Sequence, residues 1–284
     1  MVVAEVGAVA EGLPGAATSP SEHTEFAAAV VQQAGRLLLD VRSHEEGAHE
    51  EGSAPSGTAL GDLGRRWAEL LIRNRLMTSF PGDAVVCGTP ADGRGGRGCR
   101  DDRRTWLVVP LDDERAYGRP GSPYWAVHLA LREPGLGVTA AAVAVPALCS
   151  VVTSTGPRSL WHHPGRPPGT ALVLLHDGER GRAVATALAG KAPLRPRPVA
   201  SAGARTVAVV DGTADVCLHT GAEAGEGTAV GAVAEASGLR AIRLADLGTV
   251  PGAAEGDVLL CRAHLADALH RALASSRGRL ARTE

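Results

Sequence analysis

The chain has 284 residues, 44% of them hydrophobic and 21% charged, with a formal net charge of -2, the make-up of a folded globular protein with one large core or two modest ones. So small a charge, without a concentrated basic surface, excludes a nucleic-acid polymer or an anionic membrane as an electrostatically recruited partner. The five cysteines, Cys87, Cys99, Cys149, Cys217 and Cys261, are widely spaced with no CxxC pair, which points to reduced thiols in a cytoplasmic protein rather than to a zinc site or a disulfide framework.

Residues 1–21 are mildly apolar but carry Glu5 and Glu11 where an export signal needs an uninterrupted apolar core, so they read as a loose tail. No apolar run approaches the roughly 20 residues needed to cross a bilayer. Phe26, Val30, Val31, Ala34, Leu37, Leu38 and Val41 recur at three- and four-residue intervals and predict a first amphipathic helix. HEEGAHEEGSAPSG, residues 44–57, reads as a solvated loop; His44 and His49 lack the spacing and rigid helix of a metal site. A second helix is expected from Leu60 to Met77, with Leu63, Trp67, Leu70 and Leu71 facing inward. A PGD turn leads to a short strand, AVVC, and then to GTPADGRGGRGCRDDRR, a surface loop with no P-loop character because no GK[ST] follows.

From Thr105 the pattern turns to strands. TWLVVPL, YWAVHLALRE and VTAAAVAVPAL read as an antiparallel meander, with Trp125, Val127, Leu129 and Leu131 on one face. Beyond residue 150, strands and helices alternate: ALVLL, a helix to Ala189, strands at TVAVVDG and ADVCLH, a helix over 228–237, AIRL, and DVLLC feeding the helix RAHLADALHRALA. That alternation predicts a sheet covered by helices. The chain therefore divides into an α+β half, residues 22–150, and an α/β half, residues 151–284.

Three acidic residues, Asp112, Asp113 and Glu114, follow the strand WLVVPL. Alone, such a run reads as a solvated turn. Within WLVVPLDDERAYG and the following SPYWAVHLALREPGLGVTAAAVAVPAL, it resembles the D-P-I/L-D-G-T motif and next strand of the inositol monophosphatase superfamily, most closely its bacterial 3'(2'),5'-bisphosphate nucleotidase branch. SAGARTVAVVDGTADVCLHTG is similar to that family's G-S-A-G-x-K segment, and the helix ending in AEASGL to the one that carries its W-D-x-A-A metal motif.

The resemblance implies a five-layer α-β-α-β-α sandwich. It also implies Mg2+ ions, held by carboxylates and a backbone carbonyl, that activate a water against a phosphate monoester. The substrate class it implies is 3'-phosphoadenosine 5'-phosphate or inositol monophosphate, and the assembly a homodimer. Carried over residue by residue, the resemblance makes Leu111 (through its carbonyl), Asp112, Asp113 and Glu226 metal ligands and Glu114 a general base. Asp113, Glu114, Ser201, Gly203 and Arg205 become contacts to a phosphorylated small molecule.

The chain also departs from the pattern. Val109 stands for the motif's first Asp, Asp113 and Glu114 for its Gly and Thr, Gly88 and Thr89 for a ligand glutamate, and Arg65 near the place of a further metal-binding Asp. Asp92, a few residues on, sits in the Gly-rich loop. Two readings follow: a rearranged but active Mg2+-dependent phosphatase, or an inactive paralogue that binds a phosphorylated small molecule or a protein partner without hydrolysing it.

Overall fold

A computed structural model describes residues 19–50, 57–88, 102–159, 171–175, 178–188, 194–221, 228–247, 254 and 256–274. Helices α1 (Pro20–Glu50) and α2 (Gly57–Ser79) come first, then β1 (Ala84–Cys87), β2 (Thr105–Asp112), the one-turn helix α3 (Glu114–Tyr117), β3 (Ala126–Glu133), β4 (Gly137–Val145), β5 (Ser150–Thr153) and β6 (Gly156–Ser159). The second half adds β7 (Ala171–Leu175), α4 (Glu179–Leu188), β8 (Leu194–Pro198), α5 (Ala202–Asp211), β9 (Val216–His219), α6 (Ala229–Ala236), β10 (Leu239–Arg243), α7 (Leu244–Leu247), β11 (Val258–Arg262) and α8 (Ala263–Ala274).

Strands β1 to β6 form one sheet in sequence order, and β10-β11-β9-β7-β8 form a second. In the first sheet only β1 runs parallel to its neighbour; β2 to β6 make the expected antiparallel meander. Period-two alternation sends its side chains to two different cores. Trp106, Val108, Trp125, Val127, Leu129 and Leu131 face α1 and α2, whereas Ala126, Ala130, Ala141 and Val143 face α5 and α6. The far side of the second sheet packs on α4, α7 and α8 through Val173, Val184, Leu218, Leu244 and Leu273. Three apolar clusters, the middle one packed on both faces of the α5/α6 layer, thus join five layers, the α-β-α-β-α sandwich that the resemblance implies. Full burial of Trp106 and Trp125 contributes on the order of 2–3 kcal/mol each.

Three sequence expectations change. The first helix starts at Pro20 because Ser19 and Glu22 cap it reciprocally: the Glu22 amide donates to Ser19 Oγ (3.3 Å) and the Ser19 amide to Glu22 Oε2 (2.8 Å). It then runs through the segment read as a loop as far as Glu50, its Glu, His and Ala residues outweighing Gly47. TVAVVDG is helix, not strand. Ser201 caps α5, Gly212 ends it with φ 88°, and burial between two sheets accounts for its valines. Finally, α2 turns inward a face rotated from the expected one: Leu60, Gly61, Gly64, Ala68, Ile72 and Leu76 are buried with Leu71 packed against the same core, while Trp67 and Leu70 are exposed at 44% and 61%. Small residues line the seam because a side chain at Gly64 would meet the Tyr117 ring and Leu38. Among the described residues no helix is long and apolar enough to cross a membrane.

Candidate functional site

Strand β2 slips register against β3 between Val109, opposite His128, and Asp112, opposite Ala126. This bulge lets Leu111 point into the α1/α2 core while Asp112 reaches the α5 layer. There Asp112 Oδ2 accepts from Ser201 Oγ (2.8 Å) and from the Gly203 amide (2.9 Å), and His128 Nε2 lies 3.2 Å away. Ser201 Oγ in turn accepts the Ala204 amide at 3.1 Å. Burial works to raise the Asp112 pKa; the hydrogen bond and charge of His128, with the Gly203 amide and the Ser201 hydroxyl, outweigh it and hold the group at about 2.

Those amides are the N-terminus of α5, where unpaired N–H groups and the helix dipole favour an anion. The chain's own carboxylate fills that place. Gly203 is required by packing, because a side chain there would run into His128, Ala126 and Val143. Arg205 is fully buried, and its Nη1 donates to the carbonyls of Val199 (2.7 Å) and Ala200 (2.5 Å). Its guanidinium therefore braces the entry to α5.

Asp113 has φ 71°, the left-handed conformation at the position where the resemblance places a glycine. Its Oδ1 caps α3 by accepting the Ala116 amide at 3.0 Å. Burial, first, and the neighbouring Asp112 charge raise its pKa, against the pull of the Ala116 amide. Glu114 Oε1 is paired with Arg65 Nε at 2.9 Å. Arg65 also reaches Glu69 (3.3 Å) and Asp62 (3.9 Å), and Glu69 holds Arg73 at 2.9 Å. Glu226, Thr89 and Asp92 lie outside the described residues.

The structure thus brings Asp112, Ser201 and Gly203 together and turns Asp113, Glu114 and Arg205 to other partners. His128, on β3, belongs with Asp112, although no motif marks it; its one signal in the sequence is its alternation with Ala126 and Ala130 on the α5 face. Tyr124, two residues before Ala126, lies 4.9 Å under the Arg197 guanidinium, a cation–π pair that no motif marks.

A Mg2+ ion demands near-octahedral oxygen ligands with lone pairs to spare. Among the described residues no three His, Cys, Asp or Glu side chains cluster as a metal-holding group. Asp112 Oδ2 takes protein donors, Asp113 Oδ1 caps a helix and Glu114 Oε1 pairs with a guanidinium, so one oxygen of each carboxylate is engaged and the three turn to different partners, and the Val109 side chain has no donor atom to offer. The described residues do not fit the ion.

Solved structures share the sandwich. Mycobacterium tuberculosis SuhB superposes with a TM-score of 0.63 at 20% identity, covering 92% of this chain and 99% of that one. The inositol monophosphatase from Anabaena gives a TM-score of 0.61 at 17% identity, covering 90% and 96%. No family model matches the chain. Sequence relatives are closer: a protein named 3'-phosphoadenosine 5'-phosphate phosphatase from Mycobacterium bovis is 35% identical over 251 residues, 86% of this chain and 90% of that relative. Its namesake from Mycobacterium leprae is 32% identical over 234 residues, covering 77% and 80%. The chain belongs to the inositol monophosphatase superfamily. Within it, these relatives put it in the bisphosphate nucleotidase branch.

Proposed function

We propose that this chain acts on the phosphate monoester of a small molecule of the class its relatives are named for, 3'-phosphoadenosine 5'-phosphate, with inositol phosphate as the other substrate of the superfamily. The observation that carries this reading is 35% identity to a named phosphatase across nearly the whole length of both chains. Mg2+ is the cofactor that the resemblance implies, but the described donors do not suit it.

A second reading, capture of the phosphorylated ligand without hydrolysis, is favoured by one observation: each carboxylate of the motif already has a protein partner. Phosphate-ester hydrolysis needs an activated water and a stabilised leaving oxygen, and a carboxylate already committed to a guanidinium or a helix cap is poorly placed to supply either.

The two readings part in a single experiment. Phosphate release from 3'-phosphoadenosine 5'-phosphate and from inositol monophosphate is measured with Mg2+, with Mn2+ and with EDTA, beside calorimetric titration of the same ligands. Turnover establishes the phosphatase; binding with no release under any condition establishes capture. A chain that neither binds nor hydrolyses these ligands contradicts both.

A further inference from the structure

The motif has two flanks, the end of β1 at Cys87 and the one-turn helix α3 at Glu114. Helix α2 crosses both, and along it run Arg65, Glu69 and Arg73 at four-residue spacing, which puts them on one face. Arg65 Nε meets Glu114 Oε1 at 2.9 Å, Arg65 Nη1 meets Glu69 Oε2 at 3.3 Å, and Glu69 Oε1 meets Arg73 Nε at 2.9 Å. Asp62 Oδ1 stands 3.9 Å from the same Arg65 guanidinium.

We propose that this α2 ladder supplies, as fixed guanidinium charge, the balance for the carboxylates flanking the motif, so that the chain folds and keeps its motif in place with no divalent cation. Arg65 sits among Asp62, Glu69 and Glu114, three carboxylates from two helices, and a dication brought to the same oxygens meets a like charge within a few ångströms. The side chains of the ladder are a quarter to a half exposed, from 26% for Glu69 through 34% for Arg65 and 36% for Glu114 to 47% for Asp62. Any single contact is therefore weak, and the effect rests on the shared network. The inference does not depend on whether the chain hydrolyses its ligand, because it concerns the charge balance of the folded protein.

The test uses the full chain without substrate. Mn2+ binding is followed by electron paramagnetic resonance, and thermal unfolding is recorded in EDTA, Mg2+ and Mn2+. The wild type is expected to bind no Mn2+ at micromolar metal and to melt at the same temperature in all three buffers. Arg65→Gln is expected to melt about 1–3 °C lower in EDTA, to bind Mn2+ roughly tenfold more tightly than the wild type, and to regain its melting temperature in that metal. Arg65→Lys, which keeps the charge, stays silent to Mn2+. A wild type that binds Mn2+ and melts higher in it overturns the proposal. So does an Arg65→Gln chain that matches the wild type, or one that loses stability without recovering it in Mn2+.

Discussion

A carboxylate that accepts a serine hydroxyl and a helix-terminal amide on one oxygen, with an imidazole 3.2 Å from the same atom, is bound into the fold whatever else it does. Asp112 belongs to β2 and its partners to α5 and β3, so it ties the first sheet to the middle helical layer. Gly203 makes that approach possible. Gly203→Ala is expected to lose about 1–3 kcal/mol in urea denaturation, because the added methyl has no room against His128 and Ala126. A cost under about 0.5 kcal/mol would mean that the contact is loose. The resemblance makes Asp112 a metal ligand and Ser201 and Gly203 contacts to a phosphorylated molecule, so their direct bonding was not legible in the sequence, although their nearness was. The fate of Arg205 was not: an arginine following a capped helix start looks the same whether it faces a ligand or the carbonyls of Val199 and Ala200.

Helix α2 shows where pattern reading stops. Large apolar residues mark the buried stripe in most amphipathic helices, and here Trp67 and Leu70 carry that signal on the exposed side. The true seam is written in Gly61, Gly64 and Ala68, small residues that contribute little hydrophobicity but let α3 approach closely. Leu70→Gln should change stability by less than about 0.5 kcal/mol, whereas Gly64→Ala should cost more than 1 kcal/mol, roughly the penalty of overpacking against Tyr117 and Leu38. Chemical denaturation of both variants checks the assignment, and equal effects would refute it. Helix α5 poses the opposite problem. Its Val-rich stretch reads as a strand because a helix buried on all sides has no polar face to give it a 3.6-residue period, and only Ser201 and Gly212 mark its ends.

At the scale of the molecule, the five layers were implied only by the resemblance, since α5 of the middle layer reads as a strand; the two sheets were legible in the meander and the later strand-helix alternation. The cation chemistry was not, since it depends on which partner each carboxylate takes. Asp113, Glu114 and Asp112 are adjacent in sequence and go to three different partners: a helix cap, the α2 ladder and the α5 N-terminus. Of the three, Asp112 matters most to the fold, because its carboxylate joins two layers. Its pKa, held at about 2, lies below the unfolded value of about 3.9. The stabilisation it provides is therefore complete above about pH 4 and fades as pH falls toward 2, a span worth roughly 2 kcal/mol. The deciding measurement is the stability of wild type and Asp112→Asn by urea denaturation from neutral pH down to the acid limit of folding. A wild-type advantage of that order at neutral pH that shrinks below pH 4 is the predicted result. Curves that run parallel across the whole range, or an Asp112→Asn chain as stable as the wild type at neutral pH, would contradict the account.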